Sequence, residues 1–124
     1  MARKGKLQFT MIFTASSENV AEGDRIFKSH AAWMERTHHK TGDKALLIYD
    51  LSKTPEMKDP MDPDSGTTGN TQFIISEVYD GPAGLQDHWK QASENWEDFE
   101  NLKSWMSKGD ITLVNGANIV HSLW

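Results

Sequence analysis

Two histidines, one glutamate and a set of aromatic side chains are the residues of this 124-residue chain whose types and spacing could do chemistry. His30 falls between Phe27 and Met34 in a repeat of apolar residues at helical spacing, so its imidazole points inward with them. With an ordinary pKa near neutrality it could act as a general base on a phenol or an acidic C–H bond; the plainer use is a hydrogen-bonded core residue. His88 flanks a second stripe, three residues after Leu85 and four before Ala92, and is partly buried on the same reasoning. Glu77 and Tyr79 lie two apart in a strand-like run and so share a face with Phe73 and Ile75. A carboxylate among such neighbours has its pKa raised or finds a cationic partner, so Glu77 either works with a helix histidine or makes a salt bridge at a rim or subunit seam. Tyr49 and Tyr79 can donate to a ligand oxygen, and Trp33 and Trp89 can wall a flat ligand.

Other chemistries lack their residues. The chain has no cysteine, hence no disulfide, thiolate nucleophile or thiolate-bound metal. His38 and His39 point about 100° apart on a helix and cannot chelate one ion together. Asp59, Asp62 and Asp64 resemble a calcium loop in spacing, but prolines interrupt it and the glutamate at the twelfth place is missing. No glycine-rich phosphate loop and no serine elbow is present. No metal site and no cofactor are therefore expected. The formal charge of 13 − 18 = −5 argues against nucleic acid as a partner. No apolar run approaches the roughly 18 residues of a membrane span. Leu7–Ala15 alternates like a strand rather than a signal peptide, so a cytoplasmic protein is expected.

The elements that must position these residues follow from periodicity. With 37% hydrophobic residues and five Trp, five Phe and two Tyr, the chain has the material for one core, and residues 1–124 read as a single domain. A strand covers Leu7–Ala15, and a helix follows to about His38, ended by Gly42. Ala45–Leu51 is a nearly continuous apolar run of strand length. Thr54–Asn70, with three prolines and two glycines, reads as a long loop able to act as a lid or binding loop. Thr71–Tyr79 is the third strand. Asp80 should cap a second helix with Pro82 in its first turn and a stripe from Leu85 to Met106, divisible within Ser93–Asp98, where Ser93 could cap a new start. A last strand lies within Ile111–Trp124, bent at Asn115–Gly116.

The order β-α-β-β-α-β with right-handed crossovers gives a ferredoxin-like α+β sandwich, its antiparallel sheet covered by helices on one face. The second and third strands look apolar on both faces, so the bare face should be buried by a second copy pressing sheet against sheet. A homodimer is expected.

Glu77-Val-Tyr79-Asp80 followed by Leu85-Gln-Asp-His88-Trp89 resembles the antibiotic biosynthesis monooxygenase-like family of the dimeric α+β barrel superfamily. The Glu-x-Tyr at the end of the third strand and the histidine nine residues after Tyr79 carry that likeness. Arg25, His30-Ala-Ala-Trp-Met34, Gly42 and Leu46-Leu47 look like the YCII-like branch. The resemblance implies a homodimer with a pocket in each subunit between helices and sheet. It also implies activities such as cofactor-independent oxidation of phenols, haem degradation or lactone isomerisation. Haem-degrading members pair a helix histidine with an asparagine on the first strand, which Gln8–Thr14 lacks, so that activity is disfavoured. Two functions stand: a cofactor-independent monooxygenase or isomerase acting on a small aromatic compound, with His30, His88 and Glu77 catalytic and Trp33, Tyr49, Tyr79 and Trp89 holding the ligand; or a non-catalytic, ligand-binding or stress-associated dimer.

Overall fold

Apolar side chains occupy the odd positions of Leu7–Ala15. In the computed structural model, which describes residues 2–124, this segment is strand β1, with Phe9, Met11, Phe13 and Ala15 buried. A 3₁₀ turn over Ser17–Asn19 leads into helix α1, Val20–Thr37, which buries Gly23, Ile26, Phe27, His30, Trp33 and Met34. That face is tight: a Cβ at Gly23 would lie 2.5 Å from Trp105 and 2.8 Å from Phe73. The helix stops at Thr37, one residue short of the expected end, because His38 turns extended while its N–H still bonds the Met34 carbonyl at 3.0 Å.

Strands β2 (Leu46–Met57) and β3 (Thr67–Tyr79) form a hairpin that corrects the expected long loop. Both strands run into the stretch read as loop from 54 to 70, and only residues 58–66 turn. Prolines bar a segment from the middle of a sheet but not from its edge, where the missing N–H faces solvent. The sheet order is β2-β3-β1-β4, so β2 is an edge; Pro55 sits opposite Thr71, with a bulge before Met57.

The long amphipathic stripe after β3 is two helices, α2 (Pro82–Asn95) and α3 (Phe99–Met106). The break comes at Trp96–Asp98. Ser93 does not cap a new start; its hydroxyl donates back to the Lys90 carbonyl at 2.9 Å. Asp80 does not cap α2 either: Gly81 holds that place, and the Asp80 carboxylate accepts from Lys6 Nζ at 2.6 Å. Strand β4, Asp110–Asn118, starts one residue before the expected stretch and otherwise lies within it, and a bulge where Gly116 has φ +99° marks its bend. Such a φ favours glycine.

All strand pairs are antiparallel, and the inward residues of the sheet join those of α1, α2 and α3 in one core. This is the ferredoxin-like α+β fold. On the other face, Gln8, Thr10, Ile12, Gln72, Ile74 and Ser76 alternate with the core residues and are half-buried. Among the described residues no helix is long and apolar enough to cross a membrane.

Candidate functional site

Three elements deliver one polar group each to the same place. The stripe of α1 turns His30 toward the sheet, the inward register of β3 aims Glu77 at the helices, and α2 brings down His88. All three are buried, at 4%, 0% and 3% exposure. They line one cavity of about 120 Å³ whose remaining wall is apolar, including Phe9, Met11, Ile75, Trp89, Ala92 and Trp96. Ile111 and Leu113 of β4 also line it and are exposed, so the cavity opens on that side.

Each polar group is held from behind. Tyr79 donates its hydroxyl proton to Glu77 Oε1 at 2.6 Å. The other carboxylate oxygen, Oε2, is buried with no hydrogen-bond partner among the described residues. His30 Nδ1 lies 2.7 Å from the Tyr49 hydroxyl, and His88 Nδ1 lies 2.9 Å from His38 Nε2. The last contact belongs to a chain whose proton positions follow by elimination. Thr37 gives its one hydroxyl proton to the Trp33 carbonyl at 2.7 Å, so the 2.9 Å contact to His38 Nδ1 must be a bond donated by His38. A neutral His38 then accepts at Nε2, and His88 donates to it from Nδ1. Nε2 of His88 is left with a lone pair.

Burial sets the charge states. It pushes the His30 imidazole down to about 3, with His38 adding a smaller push, and it holds His88 well below the usual range. Both rings are therefore neutral. His38, less buried, is lowered to about 4, again by desolvation first. Loss of water pushes the Glu77 carboxyl up to about 7, against the lowering effect of the Tyr79 hydrogen bond. Tyr49 and Tyr79 are raised by burial and then by the Glu77 charge. The cluster is a set of neutral or marginally charged acceptors facing an apolar space.

Of the seven residues expected at a site, His30, His88, Glu77 and Trp89 line this cavity. Among the described residues Glu77 makes no salt bridge. Trp33, Tyr49 and Tyr79, expected to touch a ligand, stand behind instead. Trp33 is fully buried, stacks on Trp96 at 5.6 Å and donates to Asn95 Oδ1. Tyr79 positions Glu77. Tyr49 positions His30 and lines a separate recess of about 310 Å³ with His38, His39 and Glu35. His38, read from the sequence as a helix-end residue beside His39, lies just past α1 with an extended backbone, and its contact with His88, 50 residues away, is recorded by no local spacing.

No protein-family model and no curated protein sequence matches the chain. Solved structures do. A protein from Deinococcus radiodurans described as a candidate antibiotic biosynthesis monooxygenase is 18% identical, with a TM-score of 0.59 over 94% of this chain and 95% of that one. A dimeric ferredoxin-like protein from an uncultured marine organism is 8% identical, with a TM-score of 0.61 over 95% of this chain and 99% of that one. At these identities the likeness is one of fold.

Proposed function

We propose that the chain is a small-molecule enzyme, an oxygenase or isomerase that takes a proton from a small aromatic or unsaturated compound held in the cavity. One observation carries this: an apolar cavity whose buried end presents the His88 Nε2 lone pair and, when Glu77 is ionised, its Oε2 as acceptors. A purely apolar ligand would leave both unsatisfied, whereas a phenol or enol hydroxyl would supply the missing proton. The volume, near the ~150 Å³ that holds a benzene ring, admits a single ring. In an isomerisation the proton returns at another carbon. In an oxidation a phenol and O₂ give a quinone and water, four electrons passing from the ring to oxygen: one oxygen atom forms the new C–O bond and the other leaves as water. The described candidate monooxygenase of like fold supports the oxygenase variant without selecting it.

The test begins with binding. Single-ring phenols titrated into the protein should perturb the fluorescence of Trp89 and Trp96, and Ala92→Phe, which fills the cavity, should weaken binding at least tenfold while the far-ultraviolet circular dichroism is unchanged. Turnover is then followed by product analysis and oxygen uptake. Phenols that bind wild type and Ala92→Phe alike would sink the assignment of this cavity, and binding with no chemistry on any ring would sink catalysis.

The uncovered sheet face supports a homodimer formed sheet to sheet. Ile12 and Ile74 sit at its middle, paired across β1 and β3, among threonine, serine and glutamine. One of the solved structures of like fold is described as dimeric. Ile74→Asp would put a carboxylate at the centre of that seam and should convert the protein to monomer in light scattering; an unchanged mass would show that this face is not the interface.

A further inference from the structure

We propose that His30, His88 and Glu77 bind one first-row divalent transition-metal ion, of the Zn²⁺ or Fe²⁺ kind, at the buried end of the cavity. One donor atom from each residue lies within 4.8 Å of the other two, and all three residues are buried. On a cation with bonds of about 2.1 Å, neighbouring donors stand roughly 3–3.5 Å apart, so small side-chain rotations close the set. Two imidazoles and one carboxylate on three different elements, with an open side, suit such ions and leave coordination positions for a substrate oxygen.

Three features separate this set from buried polar groups that happen to be neighbours. The first is Glu77 Oε2, a buried carboxylate oxygen without a hydrogen-bond partner among the described residues. The second is the proton chain from Trp33 through Thr37 and His38, which leaves Nε2 of His88 as a lone pair rather than an N–H. Tyr49 can likewise accept the Nδ1 proton of His30, which frees that ring's Nε2 as a third acceptor. A water molecule has two protons for three acceptors; a cation can serve them all. The third is the support behind each ligand: Tyr49 on His30, His38 on His88 and Tyr79 on Glu77. Ligands to catalytic metals are held this way, through the atom that does not touch the ion.

The inference goes beyond the proposed reaction and does not depend on the substrate. It is tested on the full-length protein after removal of metal by chelator, with Co²⁺ as a visible probe and Zn²⁺ as competitor. The expected result is one equivalent of Co²⁺ per chain, displaced by Zn²⁺, with affinity falling at least 100-fold in Glu77→Gln. His38→Phe, which removes the support behind His88 and keeps an aromatic ring against Trp33, should weaken binding roughly tenfold. Glu77→Gln keeps the acceptor for Tyr79 and is expected to fold, so the test survives if a histidine variant does not. Absence of stoichiometric Co²⁺ binding to wild type would overturn the proposal. So would binding that Glu77→Gln leaves unchanged, which would place the ion on surface groups such as His39 or His121. Phenol binding by the metal-free protein, measured separately, shows whether the cavity reading stands when the metal site fails.

Discussion

Glu77→Gln is expected to stabilise the metal-free protein by about 2 kcal/mol more at pH 8 than at pH 5. The carboxyl is fully buried among apolar side chains with one oxygen unpartnered, and its pKa is raised from 4.5 to about 7, mainly by loss of water. Because the folded pKa lies above the unfolded one, the folded state holds a proton that the unfolded state releases. Stability from this group is therefore complete below about pH 4.5 and is lost as pH rises through 7, a loss of about 3 kcal/mol from a shift of that size. Glutamine carries no charge and escapes that loss, while its carbonyl still accepts the Tyr79 hydroxyl. Its amide nitrogen is buried and costs about 1 kcal/mol at either pH if it finds no partner. Urea unfolding of both proteins at the two pH values reads the difference directly, since the other titrating groups are common to both. An equal effect at both pH values would mean that Glu77 is hydrated or paired in solution. A side chain whose replacement stabilises the fold is one retained for a reason other than stability, which fits the role assigned to it.

Trp105→Ala should remove 3–5 kcal/mol, the usual range for deleting a buried aromatic ring. Trp105 is 1% exposed. Its ring meets Phe13 at 4.0 Å, Phe73 edge-on at 5.3 Å and Phe27 edge-on at 5.6 Å between centroids. It also covers Gly23 and donates Nε1–H to the Asn19 carbonyl at 2.8 Å. One side chain thus ties α3 to β1, β3 and the start of α1, and its loss leaves a cavity and an orphaned carbonyl together. A domain of this size has about 5–15 kcal/mol in all, so the variant should be partly unfolded well before wild type in urea. Trp124→Ala is the control: that ring is 99% exposed and its removal should change stability by less than about 0.5 kcal/mol. Similar losses from both would show that the core is organised differently.

The elements were legible wherever local periodicity meets burial. The alternation in Leu7–Ala15 and the helical repeat through Phe27, His30 and Met34 each reflect one face held against one core, and both reappear in the structure. The prolines of 54–70 misled because a residue's tolerance for proline depends on which strand is an edge, a property of the sheet rather than of the segment. Asp80 misled for a similar reason: a carboxylate that could cap a helix found Lys6, 74 residues away, instead.

At the site the division is sharper. Sequence alone placed His30 on the inward stripe of its helix, made His88 at least partly buried, and put Glu77 on one strand face with Phe73, Ile75 and Tyr79; that this face meets the helices rather than a subunit seam was left to the tertiary structure. Sequence also determined the strand and helix order from which the ferredoxin-like topology follows. Only the tertiary structure decided that the three meet at one cavity, that Trp33, Tyr49 and Tyr79 stand behind it, and that His38 sets the tautomer of His88. Facing is a local matter, fixed by a repeat of two or 3.6 residues. Meeting, and the direction in which a shared proton points, depends on how α1, β3 and α2 cross, and no spacing along the chain records that.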